Sequence, residues 1–432
     1  MLFPAPDLQV PSAVAALLEK IPLPRVAPVS QVFDRPRVEN MEAEVASRLR
    51  ESGCLAALKK GQSVAVTAGS RGITDLPLVI RTVVRAVRAA GAEPFVVPAM
   101  GSHGGATAEG QIALLQGLGI DEESVEAPLR SSMDTVVVGT TANGLPAHMD
   151  RHAAGADGII AVNRIKPHTS FRGEIESGVL KMLTIGLGKQ RGAEICHNLG
   201  FGHMAANVPA IAEIVLAAKN VLCGVGIVEN ALHETALVEI LRPETMLERE
   251  KALLREAWSL APKIFFDSLD VLIIDEIGKD ISGTGFDCNV AGRYNNPCAR
   301  GGPEITRVAV LDITDRSKGN GNGIGMADVA TRRAFAKFSA EQTYPNALTS
   351  TALLSVKMPM VLVNDSLAIR AALKTCNVAD LAAVRLVRIK NTNELRSIFA
   401  SEALLGYCRG HPNLRVEGDA APFAFNAEGN LW

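Results

Sequence analysis

The sequence predicts an α/β protein of two domains, each an open sheet with helices on both faces. Three observations predict it. The chain has 432 residues, more than one ordinary core accommodates. From Ser63 onward, short apolar runs of strand character alternate with amphipathic stretches of helical period. The alternation pauses at Ala261-Pro-Lys-Ile and then begins again. The expected division is therefore residues 1–260, residues 261–411 and a tail at 412–432.

The elements follow in order. The opening stretch, to about residue 45, is rich in Pro and Val, with weak alternation from Val26 to Phe33. It reads as edge strands and loops. Ser63–Ala68 reads as a buried strand, Leu76–Ala90 as an amphipathic helix ended by Gly91, and Phe95–Met100 as a second strand. Together they form a βαβ unit with a right-handed crossover. Then come a helix from about Thr107 to Leu118 and strands near Thr135–Val138 and Gly158–Asn163. A helix at Ala205–Lys219 and a strand at Val221–Val228 continue the series, and charged Leu247–Glu256 reads as a solvated helix. In the second domain, strands are expected at Leu269–Asp275, Thr306–Thr314, Met358–Val363 and Val384–Ile389. Helices are expected at Asp328–Ala340, Ser366–Lys374 and Thr392–Ala400.

Bulk properties exclude several classes of partner. A formal net charge of -2 gives no field to recruit nucleic acid or an anionic membrane. Aromatic residues are 4% of the chain, too few for the stacking platforms of single-strand binders. The seven Cys form no C-x-x-C pair and read as reduced thiols of a cytoplasmic protein. No signal-like start is present, and no stretch approaches the ~18 to 20 apolar residues of a membrane span. The composition leaves the oligomeric state open.

Chemistry concentrates at strand ends, where open α/β sheets bind ligands. Three loops there combine small residues with a cation or an imidazole: Thr67-Ala-Gly-Ser-Arg71-Gly, Ala99-Met-Gly-Ser-His103-Gly-Gly, and Asn163-Arg-Ile-Lys-Pro-His168. The segment Asn163–His197 is the densest of all. It holds two of the eight histidines, and Lys181 flanked by Leu180, Met182 and Leu183. An amine among apolar residues is favoured in its neutral, nucleophilic form. Each residue alone has a structural reading: Arg71 as a cap or ion pair, His168 as the end of a strand, His197 as a solvent-facing helix residue. Lys189 and Arg191 read as solvated charges. Lys318-Gly-Asn-Gly-Asn-Gly lacks the ending of a P-loop and reads as a flexible turn or lid.

Taken as an ordered series, these residues resemble the nickel-pincer lactate racemase family. That family has an Arg loop, a His in the next loop, a second His, a Lys in a Ser-Gly-rich turn, and a third His sixteen residues further on. Arg71, His103, His168, Lys181 and His197 match the series. The resemblance implies two Rossmann-like domains with a crevice between them, and a tail packing back on the first domain. It implies the nickel-pincer nucleotide (pyridinium-3,5-bisthiocarboxylic acid mononucleotide with Ni), anchored through Lys181 as a thioamide. His197 would be the protein ligand to nickel, and His103 and His168 the acid/base pair on opposite faces of the substrate carbon. Arg71 would clamp the substrate carboxylate. In the second domain, Glu276 and Lys279 would face the substrate.

The implied activity is racemisation or epimerisation of a small 2-hydroxy acid, and the implied partners are that acid and the cofactor-assembly enzymes. The family moves a hydride to the cofactor while one imidazole takes the hydroxyl proton, which requires two groups able to cycle near the working pH. The chain departs from the family at Ala68, where an Asp is usual, and by about three additional residues between His168 and Lys181. These hold Arg172, Glu174 and Glu176 and point to a hydroxy acid other than lactate. Arg172 either binds a second anionic group or pairs with Glu174 or Glu176. Two other readings stand beside this one: a nicotinamide-dependent oxidoreductase, which lacks a clean G-x-G-x-x-G here, and a non-catalytic cofactor- or ligand-binding protein.

Overall fold

A buried run with little polar relief, Ser63–Ala68, forms a central strand of a five-stranded sheet. Its neighbours are Glu93–Pro98 and Gly158–Arg164, both parallel to it. Val221–Glu229 extends the parallel set, and Thr235–Leu241 closes it antiparallel. All-parallel strands buried on both faces need apolar residues at successive positions, which Val64, Ala65, Val66 and Ala68 supply. The helix Leu76–Ala89 buries Val79, Ile80, Val83, Val84 and Val87. They pack with Met41, Val45 and Leu49 of the helix Met41–Ser52 in one core. The computed structural model describes residues 12–70 and 72–432, and this sheet belongs to a compact unit spanning Asp34–Ala261.

A second unit contains the described residues up to Phe33 together with Pro262–Trp432. Its sheet has eight strands. Ser268–Ile277 lies between Glu304–Ile313 and Leu386–Ile389, parallel to both. Val329–Thr331 and Met360–Leu362 extend the parallel side. On the other side, Ser397–Ser401, Val26–Gln31 and Leu414–Val416 run antiparallel in sequence. Separate apolar clusters cover the two faces. The architecture is thus two open, parallel-rich, Rossmann-like sheets.

Several expectations change. Residues 26–31 do not join the unit that follows them in sequence. They also do not form an edge, because two antiparallel neighbours, Ser397–Ser401 and Leu414–Val416, claim both sides. Those pairings draw the first and last segments into one unit, so the tail packs with residues 262–411: Asp365 accepts the Leu431 N–H at 2.8 Å, and Arg333 lies over the Trp432 ring. The expected helix at 392–400 is the strand Ser397–Ser401, with Ile398 and Ala400 buried. The expected helix at 328–340 begins as the strand Val329–Thr331 and becomes helical only at Arg332. Thr331 decides this boundary, capping the helix through its side chain.

Three smaller corrections follow. Among the described residues, Thr135–Thr140 pairs only with Pro146–Asp150, in a separate hairpin. The Gly-rich stretch at 321–324 is buried rather than lid-like, and Gly285 approaches Asn322 too closely to admit a side chain. One window, Phe201–Ala218, does reach the length and mean hydropathy of a membrane span, at 1.4. Here it is a packed helix that buries Met204, Val208, Ile211 and Val215 in the unit.

Candidate functional site

In the five-stranded sheet, the chain passes from Ser63–Ala68 to Glu93–Pro98 on one side and later to Gly158–Arg164 on the other. A topological switch point therefore lies beside the carboxyl end of Ser63–Ala68, where such sheets form ligand crevices. Gly69 stands at that end. A Cβ there would lie 3.1 Å from the Met182 Cε and 3.7 Å from the Asn163 Oδ1. Gly69 thus allows the strand-end loops to approach each other. Arg71, the next charged residue of this loop, lies outside the described residues.

The loop Lys166–Ser177 is closed at its base by reciprocal backbone bonds between Lys166 and Ser177, at 2.9 and 3.3 Å. His168 sits within it. Its backbone N–H donates to the Glu176 carboxylate at 2.6 Å, and its Nδ1 accepts from the Ser170 N–H at 3.0 Å. An accepting Nδ1 assigns the proton of the neutral ring to Nε2. The ring packs on buried Phe171, with centroids 4.5 Å apart. Burial drives the His168 pKa well below 6.5, and the charges of Lys181, Lys166, His197 and Arg172 push the same way.

Arg172 resolves toward the local reading. It donates to the His168 and Phe171 carbonyls at 2.6 and 3.0 Å, lies 3.5 Å from Glu176, and stacks over Trp258. Glu174 is exposed and pairs with Lys251 at 2.9 Å. The residues peculiar to this loop therefore hold it together. Burial raises the Glu176 pKa.

Lys181 ends the short helical turn Val179–Lys181. Asn163 donates to the Gly178 carbonyl at 2.7 Å, and the Glu250 carboxylate accepts the Leu180 N–H at 3.0 Å. Glu250 is 1% exposed, and burial raises it to about 7. Beyond Lys181 the chain widens into a π-helical turn, Met182–Gly186, closed by the Leu187 N–H to the Met182 carbonyl at 2.8 Å. Such turns cluster at functional sites because they displace a side chain from regular helical position. The Lys181 Nζ is 5.7 Å from the Phe171 centroid, so Lys181 and His168 share that ring.

His197 lies in the last turn of the helix Lys189–Asn198, edge-on to Phe201 at 5.6 Å. Burial, then the charge of Lys181, lowers it to about 4, so its imidazole is neutral at ordinary pH. His103 follows the strand Glu93–Pro98, and its Nδ1 meets the Ser70 hydroxyl. Its loop also touches the Lys181 region: Gly101 donates to the Gly186 carbonyl at 3.1 Å, and a Cβ at Gly101 would meet Ala193 at 3.5 Å. Four of the sequence-selected residues thus belong to this one unit, and His168, Lys181 and His197 are close enough to perturb one another.

Glu276 and Lys279 belong to the other unit. Glu276, near the carboxyl end of Ser268–Ile277, accepts from Asn391 at 2.9 Å. Lys279 donates to the Gly283 carbonyl at 2.8 Å, and its backbone N–H donates to Ser317 at 2.7 Å. One residue escaped sequence reasoning. Lys189, expected to be a solvated charge, is fully buried and paired with Asp150 at 3.2 Å. A lysine beside exposed Gln190 and Arg191 carries no burial signal in sequence.

Residues 28–208 match the lactate racemase N-terminal domain family. Among solved structures, the lactate racemase apoprotein from Thermoanaerobacterium thermosaccharolyticum has a similar fold, with a TM-score of 0.51 at 14% identity. The match covers 85% of this chain and 99% of that one. No curated protein matches the chain. Residues 28–208 are thus similar to the lactate racemase N-terminal domain, and the fold resembles that of a lactate racemase apoprotein over most of the chain's length.

Proposed function

We propose that this protein is a racemase or epimerase of a small 2-hydroxy acid, working with a nickel-pincer nucleotide bound at the strand ends of its Asp34–Ala261 unit. The observation that carries the reading is the grouping of His168, Lys181 and His197 around the switch-point strand ends, with the His103 loop packed on the same π-turn.

The residues fit such a group. Among the described residues, no cluster of three or more His, Cys, Asp or Glu converges on a metal. A metal here would therefore draw most donors from its organic partner. His197, held neutral by burial, offers the lone pair a ligand requires. Lys181 is fixed at its turn by Asn163 and Glu250, which aim one amine from a rigid base. When bound, the nucleotide supplies a two-electron acceptor for the hydrogen on the substrate carbon, and its sulfur donors with imidazole suit planar Ni(II).

The chain's own groups handle the protons. His168 presents a neutral ring with its proton on Nε2, which hydrogen-bonds an oxygen; it becomes an acid when Nδ1 exchanges the Ser170 N–H for a second proton. His103, with Nδ1 on the Ser70 hydroxyl, offers its other nitrogen to the opposite face. One ring, neutral, takes the hydroxyl proton as the carbon is oxidised and becomes imidazolium; the other, entering the turnover as imidazolium, returns its extra proton when the carbon is reduced from the other side. Arg71 clamps the carboxylate through its planar fork. Arg172 is engaged with its own loop, so the substrate's second group is not assigned to it.

Co-expression with the pincer-assembly enzymes tests the reading. The expected result is about one nickel per chain and a mass addition on the Lys181 peptide, with inversion of a 2-hydroxy acid measured by chiral chromatography. An unmodified Lys181 without nickel under those conditions overturns it.

A further inference from the structure

Lys189 is the least expected charge in the molecule. It is fully buried and adopts a left-handed backbone, with φ at 54°, a conformation that costs a non-glycine residue energy. Such a conformation persists only where surrounding contacts over-determine it. Its ammonium donates to the Pro98 carbonyl at 2.6 Å and to the Gln111 Oε1 at 2.8 Å, and pairs with the Asp150 carboxylate at 3.2 Å. Two hydrogen bonds and one ion pair thus join the ammonium to three separate segments. Pro98 ends the strand before the His103 loop, Gln111 lies on the helix Ala108–Gly117, and Asp150 ends the hairpin.

The network continues to the proposed chemistry. Gln111, itself fully buried, turns its amide to the Gly101 carbonyl at 2.9 Å and the His103 carbonyl at 3.3 Å. Asp150 caps its own turn by accepting from His152 and Ala153, and its N–H donates to the Leu187 carbonyl at 2.7 Å. Lys189 is the first residue of the helix that carries His197. One buried ammonium therefore ties the His103 loop to the start of the His197 helix.

We infer that Lys189, with Gln111 and Asp150, is a positioning device that fixes the His103 loop and the His197 helix in one mutual geometry. Its functional part rests on the racemase reading above. The ammonium touches no reacting atom in this scheme. Its effect passes through Gln111 to the His103 main chain and through its own backbone to the helix.

The branches can be separated. Gln111→Leu removes the donor to Gly101 and His103 and one acceptor of Lys189, and leaves the Lys189 contacts with Asp150 and Pro98 in place. Lys189→Met breaks both branches and strands a buried carboxylate, so it carries a folding risk; Gln111→Leu therefore decides. Hydrogen exchange of the metal-free protein reads the positioning without any turnover. Gln111→Leu is expected to speed exchange in peptide 99–106 about 10-fold, while peptides 189–198 and 221–229 keep wild-type rates. Where Lys189→Met folds, peptides 99–106 and 189–198 should both speed up and 221–229 should not.

In the nickel-loaded enzyme, Gln111→Leu should lower kcat about 10-fold with KM within about 2-fold and nickel content unchanged. Unchanged exchange at 99–106 overturns the positioning role, as does acceleration spread evenly over all peptides. Faster exchange at 99–106 with wild-type kcat in the loaded enzyme overturns the link to turnover. If the chain never loads nickel, the racemase reading fails while the exchange pattern still decides the positioning role.

Discussion

The carboxyl end of the five-stranded sheet adds imidazoles and amines to a largely buried ion pair, Arg164–Glu229, whereas the same end of the eight-stranded sheet is lined by ion pairs. In the first, burial and neighbouring cations drive His168 and His197 toward their neutral forms. In the second, Arg388 grips Asp275 at 2.7 and 2.9 Å, Arg333 grips Asp365 at 3.0 and 3.1 Å, and Lys337 holds Asp312 at 3.0 Å. The two sheets share a style and differ in what burial does with charge. A neutral imidazole in a desolvated site can exchange a proton; at Asp275 and Asp365 burial also raises the carboxyl, and the paired guanidinium opposes that shift.

The sharpest way to break this contrast is His168→Ala in the loaded enzyme. Stereoinversion should fall about 10³-fold while nickel content holds. Retained activity would place the proton chemistry elsewhere. On the other sheet, Arg388→Met should cost about 3–4 kcal/mol in urea unfolding, because a largely buried Asp275 loses its partner. Nickel content of the folded fraction should not move. A loss of nickel instead would erase the distinction between the two sheets.

Glu250 gives a pH signature confined to the first unit. Burial raises it from 4.5 to about 7, so between those values the folded chain holds a proton that the unfolded chain has released. Stability should therefore fall as pH rises through that window, by roughly 3–3.5 kcal/mol in all. Glu250→Gln should flatten that slope, measured by urea midpoints at pH 5 and 8. An unchanged slope would show that Glu250 is not the titrating group. The smallest effect is expected at the exposed Arg85, which pairs with Glu126 and Glu42. Arg85→Ala should leave the unfolding midpoint where it is, since solvent screens such pairs.

Sequence pattern carried the central elements well, because their signal is local. Ser63–Ala68 and Leu76–Ala89 emerge from apolar spacing alone. Ser397–Ser401 has the local pattern of a helix, because its strand character comes from partners far away in sequence, at Val26–Gln31 and Leu386–Ile389. His103 stands out in sequence because an imidazole among glycines at a strand end has few structural uses, whereas His168 and His197 stand out only through their order in the series. Lys189 was not legible. Its burial depends on Asp150 and Gln111, and no window around residue 189 contains either. Sequence leaves Arg172 between two roles, and its contacts with Glu176 and Trp258 settle where its side chain goes.

The discontinuous unit has a consequence for synthesis on the ribosome. Val26–Gln31 emerges early, yet its sheet neighbours, Ser397–Ser401 and Leu414–Val416, emerge only near the end of translation. Asp34–Ala261, by contrast, has every strand of its sheet in hand as soon as it has left the exit tunnel. The nascent chain therefore trails a completed unit while an earlier strand waits with both hydrogen-bonding edges open. Such an edge is a target for holding chaperones or for mispairing. Slow elongation late in the message would prolong that exposure for the whole length of the second unit.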